Sequence, residues 1–325
     1  MRPAFSVIFL TTLIGVGQGL FLALFTTDVY AAIGLLPVQP AAFFVRGSAI
    51  AVGFLCAGLV ASFFHLGHPE RAWRAATRWR TSWLSREVIA LPAATAAIIA
   101  YGLAHLLHWA VVLPAGGHPF DVGLPLIVGA VAVVATLSLF LCTGMIYACI
   151  RFLQEWSTWL TVVNYMLFGT ASGFVLASAY SAYEAPPLEG FLVTWAIVLT
   201  VMALITRSAS LIRNARIRHR SSLQTAIGVR HAHIRQTAQG FMGGSFNTRE
   251  FFHGISGKLM RSLKWVFMLL VFPVPALLLW KGVTTVSPGL VLAAFVVQYV
   301  GLLVERWFFF AQANHPQNLY YQTIS

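Results

Sequence analysis

Eight apolar stretches, each about 20 residues long, set the first limit on what this chain can fold into. About 20 apolar residues in a helix cross the roughly 30 Å hydrocarbon core of a bilayer, and a helix satisfies its own backbone hydrogen bonds there. Hydrophobic residues make up 58% of the 325 positions, far more than a soluble fold needs. We predict an all-α integral membrane protein in which residues 1–325 form one bundle of eight transmembrane helices. The predicted helices cover 5–27, 43–64, 87–108, 122–147, 160–181, 188–206, 263–280 and 287–310.

Small residues recur inside two of these stretches, as GVGQG at 15–19 and TASGFVLASAYSA at 170–182. Small side chains let helix backbones approach each other closely inside a membrane. We therefore expect tight helix–helix packing at both segments.

The distribution of charge predicts the orientation of the bundle. A net charge of +12 in a soluble protein would suggest nucleic-acid binding. Here 19 of the 21 Lys and Arg residues lie on or next to one side of the predicted bundle, and only Arg46 and Lys281 lie opposite. Without the 11 basic residues of 207–264, the ratio is still eight to two. Because basic loops stay in the cytoplasm, we predict that both termini and the loops 65–86, 148–159 and 207–262 are cytoplasmic, with no nucleic-acid partner.

The sequence offers little for a metal centre within the chain. Cys56, Cys142 and Cys149 lie in or at the ends of predicted helices, without CxxC spacing, so we interpret them as packing residues and expect no iron–sulfur cluster. A haem held by two histidines needs them at matching depth on facing helices. His105 and His108 lie roughly 27–32 Å along the helix from Glu87, at 1.5 Å per residue. Both therefore lie near the opposite membrane surface from His65 and cannot share a haem with it. We expect no haem.

The long basic loop 207–262 has two parts. Residues 207–235 are predicted to extend the sixth helix as a basic helix, with a solvated charged face near lipid headgroups as the plain explanation. Residues 239–254 carry four phenylalanines, which a loop outside the membrane keeps only when it folds onto something. We expect a partner subunit to cover them, and packing onto the chain's own helices is the alternative. The four are Phe241, Phe246, Phe251 and Phe252.

The loop 65–87 concentrates polar side chains in a chain with only 9% charged residues. Pro69 suits the first turn of a short helix, in which Glu70 and Arg74 would lie four residues apart on one face. The arginines of this helix form a basic stripe, and three tryptophans suit the membrane–water boundary. An interfacial helix with aromatic anchors explains most of this loop.

His65 and Glu87 flank the loop, one closing the second predicted helix and the other opening the third. We place them at equal depth. A carboxylate at the apolar edge of a helix is costly unless it is paired or hydrated, and a cap at Ser82 or Ser85 would help to stabilise it. Histidine exchanges protons near neutral pH, so the pair could bind a quinone carbonyl and exchange protons with it. The alternative is helix-end capping with salt bridges to Arg86 or Arg71.

The run FFHLGHPERAWRAATRWRTSWLSREV at 63–88, the eight-helix layout and SFNTREFFHG at 245–254 resemble the membrane-anchor subunit family of dimethyl sulfoxide reductase-type molybdoenzymes. The resemblance covers essentially the whole chain, and 63–88 is its most specific part. Within the family, PAFSVIFLTTLIGVGQGLFLAL at 3–24 and RTSWLSREV at 80–88 look most like the anchors of cytoplasm-facing sulfite dehydrogenases from sulfur-oxidising bacteria.

This resemblance implies an anchor without a metal centre that exchanges electrons between ubiquinone or menaquinone and a four-cluster iron–sulfur subunit. That subunit would serve a catalytic subunit holding a molybdopterin guanine dinucleotide. The family's quinone-site histidine and glutamate match His65 and Glu87, and we assign Arg86 to the same site. The residues that we assign to partner docking are Arg71, Arg74, Arg78, Arg80, Phe246, Arg249, Phe251 and Phe252.

We therefore predict a subunit that catalyses nothing alone and passes electrons from cytoplasmic sulfite oxidation to quinone in the bacterial inner membrane. The first alternative is the same fold run backwards, oxidising menaquinol to reduce a sulfoxide. A second is a transporter, for which Pro92 or the pair Pro273 and Pro275 would break helices, but the charged residues expected mid-helix are missing. A purely structural tether is the third.

Overall fold

Helices make up nearly all of the ordered secondary structure in the computed structural model, which describes residues 1–107, 123–218, 221–235, 237 and 251–320. Eight helical segments of this part are long and apolar enough to cross a membrane, as predicted, and it contains no β-strand. The helices are α1 Phe5–Ala32, α2 Ala41–Phe63, α3 Trp83–Leu106, α4 Leu124–Ala148, α5 Trp159–Glu184, α6 Glu189–Ala215, the short α7 Leu223–Ile227, α8 Gly257–Val271, α9 Pro273–Thr284 and α10 Pro288–Ala311.

The seventh crossing is built from two helices. α8 ends at Val271 and α9 begins at Pro273, with Phe272 between them at φ −113° and ψ −78°. Proline has no backbone N–H and its ring collides with the preceding turn, so a helix restarts at Pro273 rather than running through it. The helix break that the transporter alternative places at this pair is present, whereas α3 continues past Pro92.

Several helices extend beyond their predicted ends. α1 runs to Ala32 and so includes Asp28, which the sequence pattern placed in a loop. α3 begins at Trp83, where the Ser82 hydroxyl accepts a hydrogen bond from the Ser85 amide and caps the helix. The predicted extension of the sixth helix over 207–235 is confirmed as far as Ala215 and is wrong beyond it, where the described residues contain only the short α7.

α1 and α5 contact each other backbone to backbone. A Cβ added at Gly19 would lie within 3.0 Å of the Gly169 carbonyl oxygen, and one at Gly173 would lie within 3.0 Å of the Gly19 carbonyl carbon. No real Cβ fits at such distances. The expected close packing of the two glycine-containing segments is therefore confirmed, and it holds α1 in the centre of the bundle.

Gly173→Ala is expected to destabilise the bundle by about 1–3 kcal/mol or more, because the new methyl group must push the two backbones apart. Gly53→Ala is the matched control, since a Cβ at Gly53 on α2 meets nothing within 4 Å. That change should be neutral or stabilising by about 0.5–1 kcal/mol, through the better helix propensity of alanine. Thermal unfolding in detergent measures both, and equal midpoints for the two variants would contradict a close contact between α1 and α5 at Gly173.

Antiparallel alternation of the eight crossings brings the end of α2, the start of α3, the ends of α4 and α6 and the end of α10 to one end of the bundle. We call this the basic end, because it carries the arginines of the 65–87 loop and those that follow α6. The candidate site lies here.

Candidate functional site

The loop between α2 and α3 contains the short helix that the sequence predicted, but as a 3-10 helix from Pro69 to Arg78. A 3-10 helix has three residues per turn, so residues four apart do not share a face. Glu70 therefore contacts His68 Nδ1 at 3.0 Å and Arg71 Nε at 3.7 Å rather than Arg74. The side chains of the loop arginines Arg71, Arg74, Arg78 and Arg80 are exposed, as a docking surface requires.

Arg86, in the first turn of α3, forms hydrogen bonds with the backbone of this loop. Its guanidinium donates hydrogen bonds to the carbonyls of Trp79 and Arg80, both at 2.9 Å, and lies 4.2 Å from the centre of the Trp83 ring. Arginines favour aromatic faces through cation–π attraction. The guanidinium is thus engaged by the loop backbone, and its place in a quinone site stays a prediction.

Glu87 is the buried carboxyl group of the site. α3 starts four residues earlier than predicted, so Glu87 lies one turn, about 6 Å, inside the helix rather than at its first residue. It is only 8% exposed, and the Thr143 hydroxyl of α4 donates a 2.5 Å hydrogen bond to its Oε1. Within the described part of the chain it has no ion-pair partner. The alternative of salt bridges from Glu87 to Arg86 or Arg71 is wrong.

His65 lies two residues after Phe63, the last residue of α2, and is exposed at the basic end. Neighbouring protein atoms still remove enough water to lower the pKa of His65 from its ordinary 6.5. At pH 7 the ring is therefore mainly neutral, with one nitrogen able to donate and the other to accept a hydrogen bond. The ring makes no hydrogen bond within the described residues and none to Glu87. The two side chains therefore make no direct contact, and their equal depth in the membrane stays a prediction.

Exposed apolar side chains precede His65 directly in the sequence and precede Glu87 by about one helical turn. Phe63 and Phe64 at the end of α2 and Leu84 at the start of α3 are among the exposed large hydrophobic residues. A lipid-soluble molecule can approach along such a surface without leaving an apolar environment. This end of the bundle therefore holds an exposed apolar surface, a neutral histidine and, separately, a buried carboxyl group.

A buried ion cluster lies close by and was missed from the sequence. We call Arg207, Glu305 and Arg306 the buried triad. Arg207 Nη2 lies 2.7 Å from Glu305 Oε1, and Arg306 Nε lies 2.7 Å from Glu305 Oε2. All three are at most 4% exposed, and Arg306 lies 4.1 Å from the centre of the Tyr165 ring. All three lie in the half of α6 or α10 that is nearer the basic end, so they are not the mid-helix charges expected of a transporter.

The sequence contained one signal for this cluster. Glu305 and Arg306 interrupt the apolar run LLVERWFFFA, and an ionisable pair inside a spanning helix needs a partner. Arg207 gave no such signal, because it appeared to open the basic loop. The longer α6 places it inside the bundle at 1% exposure, not on a solvated face.

The structure describes only some of the residues of segment 239–254 that we assign to partner docking. Phe246 and Arg249, like Phe241, lie outside the described residues. Phe251 and Phe252 are half-buried. Phe251 stacks on His315 with ring centres 3.8 Å apart, and the Asn318 amide donates to its carbonyl at 3.1 Å. These contacts show packing onto the chain's own C-terminal segment at Phe251, and partner docking there stays a prediction.

Neither histidines nor cysteines gather into a metal site among the described residues. His105 is engaged by Asp28, with Nε2 and Oδ2 3.1 Å apart, and stacks on Phe44 at 4.3 Å. His108 and His118 lie outside the described part. The three cysteines form no disulfide.

Comparison with known proteins agrees with this architecture. Residues 2–321 match the family model described as "DMSO reductase anchor subunit (DmsC)". The chain is also 57% identical over 325 residues to a sulfite dehydrogenase subunit from Allochromatium vinosum, covering 100% of both chains. A full-length match to the family model and this identity establish that the chain is a member of the DMSO reductase anchor subunit family.

Proposed function

We propose that this chain is the quinone-reactive anchor of a sulfite-oxidising complex in the bacterial inner membrane. As an anchor subunit it belongs to a DMSO reductase-type complex, which implies catalytic and iron–sulfur partner subunits. In our proposal the iron–sulfur subunit carries four clusters and the catalytic subunit holds the molybdopterin guanine dinucleotide. Both termini and the basic end face the cytoplasm, following the bias of Lys and Arg.

The observation that carries the proposal is Glu87, a carboxyl group that is buried at the basic end and, among the described residues, hydrogen-bonded only to a neutral hydroxyl. Such groups inside a membrane are costly and mark functional sites. A quinone takes up two electrons and two protons on reduction. Glu87 can hand over one proton at its carboxyl group, and His65 can donate a hydrogen bond or a proton from its ring N–H. The exposed arginines of the loop would meet the iron–sulfur partner.

Sulfite as electron donor is supported by the 57% identity to a sulfite dehydrogenase subunit over both full lengths. The description of the matched family supports the second candidate, in which the complex oxidises menaquinol and reduces a sulfoxide. Turnover of the purified complex with sulfite and a quinone analogue, against quinol and dimethyl sulfoxide, separates the two.

His65→Ala is expected to lower sulfite-dependent quinone reduction by at least about tenfold, because general acid–base groups contribute roughly 10²–10⁴-fold and Glu87 remains. His68→Ala is the matched control, since His68 lies on the same loop but is held by Glu70 in solvent. The assay is quinone reduction by the assembled complex, with sulfite oxidation by an artificial acceptor as the measure of intact partners. If both variants kept full quinone reduction, the role of His65 would be disproved.

A further inference from the structure

Glu87 and the buried triad face one internal cavity through two of its lining residues. Thr143, which donates to Glu87, lines this cavity, and so do Arg306 and Tyr165. The space open to the centre of a water molecule is about 20 Å³. One water needs roughly 10–15 Å³ of such space and two or more polar partners. Further polar residues that line the cavity are Thr11, Thr12, Gln18 and Ser172.

Arg306 has an unsatisfied donor there. Its Nη1 is buried and has no hydrogen-bond partner in the described part of the chain. A buried donor without a partner costs about 1–3 kcal/mol, so native structures pair such groups with protein or ordered water. The residue is 4% exposed, and Nε is already engaged by Glu305. The Tyr165 hydroxyl, which lines the same cavity, also lacks a hydrogen-bond partner among the described residues, and a water molecule there can serve both groups.

The charges on the two sides of the cavity are complementary. The buried triad contains two guanidinium groups and one carboxylate, which leaves one excess positive charge. Glu87 has no cationic partner of its own among the described residues. When Glu87 is ionised, the four groups together are neutral. Inside a low-dielectric bundle such compensation acts over longer distances than in water.

We propose that an ordered water molecule joins Arg306 to Glu87 through Thr143 and makes Arg306 a positioning residue of the quinone site. The water accepts a hydrogen bond from Arg306 Nη1 and donates one to the Thr143 hydroxyl oxygen. That hydroxyl in turn donates to Glu87 Oε1. The chain of hydrogen bonds orients the carboxyl group and stabilises its anionic form once the proton has left. This inference rests on the proposed function, in which Glu87 gives a proton to a quinone.

A double-substitution experiment tests the link. Thr143→Val and Arg306→Gln are each expected to lower the kcat of quinone reduction by about tenfold, with the KM for quinone unchanged, because part of a general acid–base contribution is lost. Combined, they should lower kcat by about tenfold in total rather than about 100-fold, because both interrupt one chain of hydrogen bonds. Thr143→Ser and Arg306→Lys, which keep the hydroxyl and the charge, should restore most of the rate.

Thr170→Val is the matched control, because the Thr170 hydroxyl donates to the Met166 carbonyl of its own helix at 2.7 Å. Independent effects, with a loss of about 100-fold in the double variant, would overturn the inference. So would unchanged turnover in Arg306→Gln. If Glu87→Gln lowers turnover in the same preparations, the proposed function survives that result. If Glu87→Gln has no effect, the quinone site itself is wrong.

A second readout does not depend on the Arg306 variants folding. Infrared difference spectra of the native complex, taken between oxidised and reduced quinone, should contain a water O–H band that disappears in Thr143→Val. The same band should persist in Thr170→Val. A spectrum whose water bands are identical in the native complex and Thr143→Val would overturn the inference.

Discussion

Glu87→Gln is expected to lower quinone-coupled turnover by at least about 100-fold, while the complex assembles normally. Glutamine has nearly the same shape, and its side-chain carbonyl can still accept the hydrogen bond from Thr143, so the packing of α3 against α4 is retained. The amide cannot give up a proton at any working pH. The loss is therefore one of chemistry rather than of structure. Quinone reduction by the complex, with sulfite as electron donor, measures it.

Glu184→Gln is the matched control for this substitution. Glu184 ends α5 at the opposite end of the bundle and pairs with Arg46 at 2.8 Å in an exposed position. Its loss should leave quinone reduction unchanged. Sulfite oxidation with a soluble artificial acceptor should be normal in both variants, because it bypasses the anchor. A Glu87→Gln complex that reduces quinone at the native rate would remove this carboxyl group from the mechanism.

Glu305→Gln is expected to destabilise the folded chain by about 3–5 kcal/mol, because it leaves two buried guanidinium groups without a counter-ion. Arg207 and Arg306 approach the same carboxylate at 2.7 Å from opposite oxygens, so without it they repel each other at close range. In a marginally stable protein such a loss removes most of the folded population. The yield of folded chain and its thermal midpoint in detergent measure the effect.

The exposed pair of Arg46 and Glu184 gives the comparison for this prediction. Arg46→Gln breaks an ion pair of similar length, 2.8 Å, but in contact with solvent. Exposed pairs contribute only about 0–1 kcal/mol. Equal midpoints for Glu305→Gln and Arg46→Gln would show that the buried triad does not hold α6 and α10 together.

The number and type of the helices were predictable because each apolar stretch had to be a helix in lipid. The ends of the helices were predicted less well. The predicted ends follow the apolar stretches, but a helix can continue for several polar residues beyond the apolar part. α6 continues to Ala215 because its arginines can lie along a helix that has passed the apolar part, and Arg207 becomes buried as a result. α3 starts at Trp83 because a capping serine, rather than the first apolar residue, fixes its first turn.

The sequence could propose residues for the candidate site but could not show their contacts. An isolated glutamate at the edge of an apolar stretch indicates function from the sequence alone. Its partner Thr143 is one of many small polar residues in apolar helices, and no pattern distinguishes it from Thr136 or Thr170. The position of Arg86 depended on the path of the loop backbone, which accepts its hydrogen bonds. Contacts between distant helices are decided by packing, which a single sequence does not display.

The glycine contact between α1 and α5 has a consequence for the order of assembly during synthesis. Gly19 and Gly173 are 154 residues apart. At roughly 5–20 residues per second, a ribosome needs about 8–30 s to make the chain between them. Until then α1 lacks α5, the helix against which its glycines pack. It must wait in the lipid, or beside the insertion machinery, and the centre of the bundle is completed only after more than half of the protein has been made.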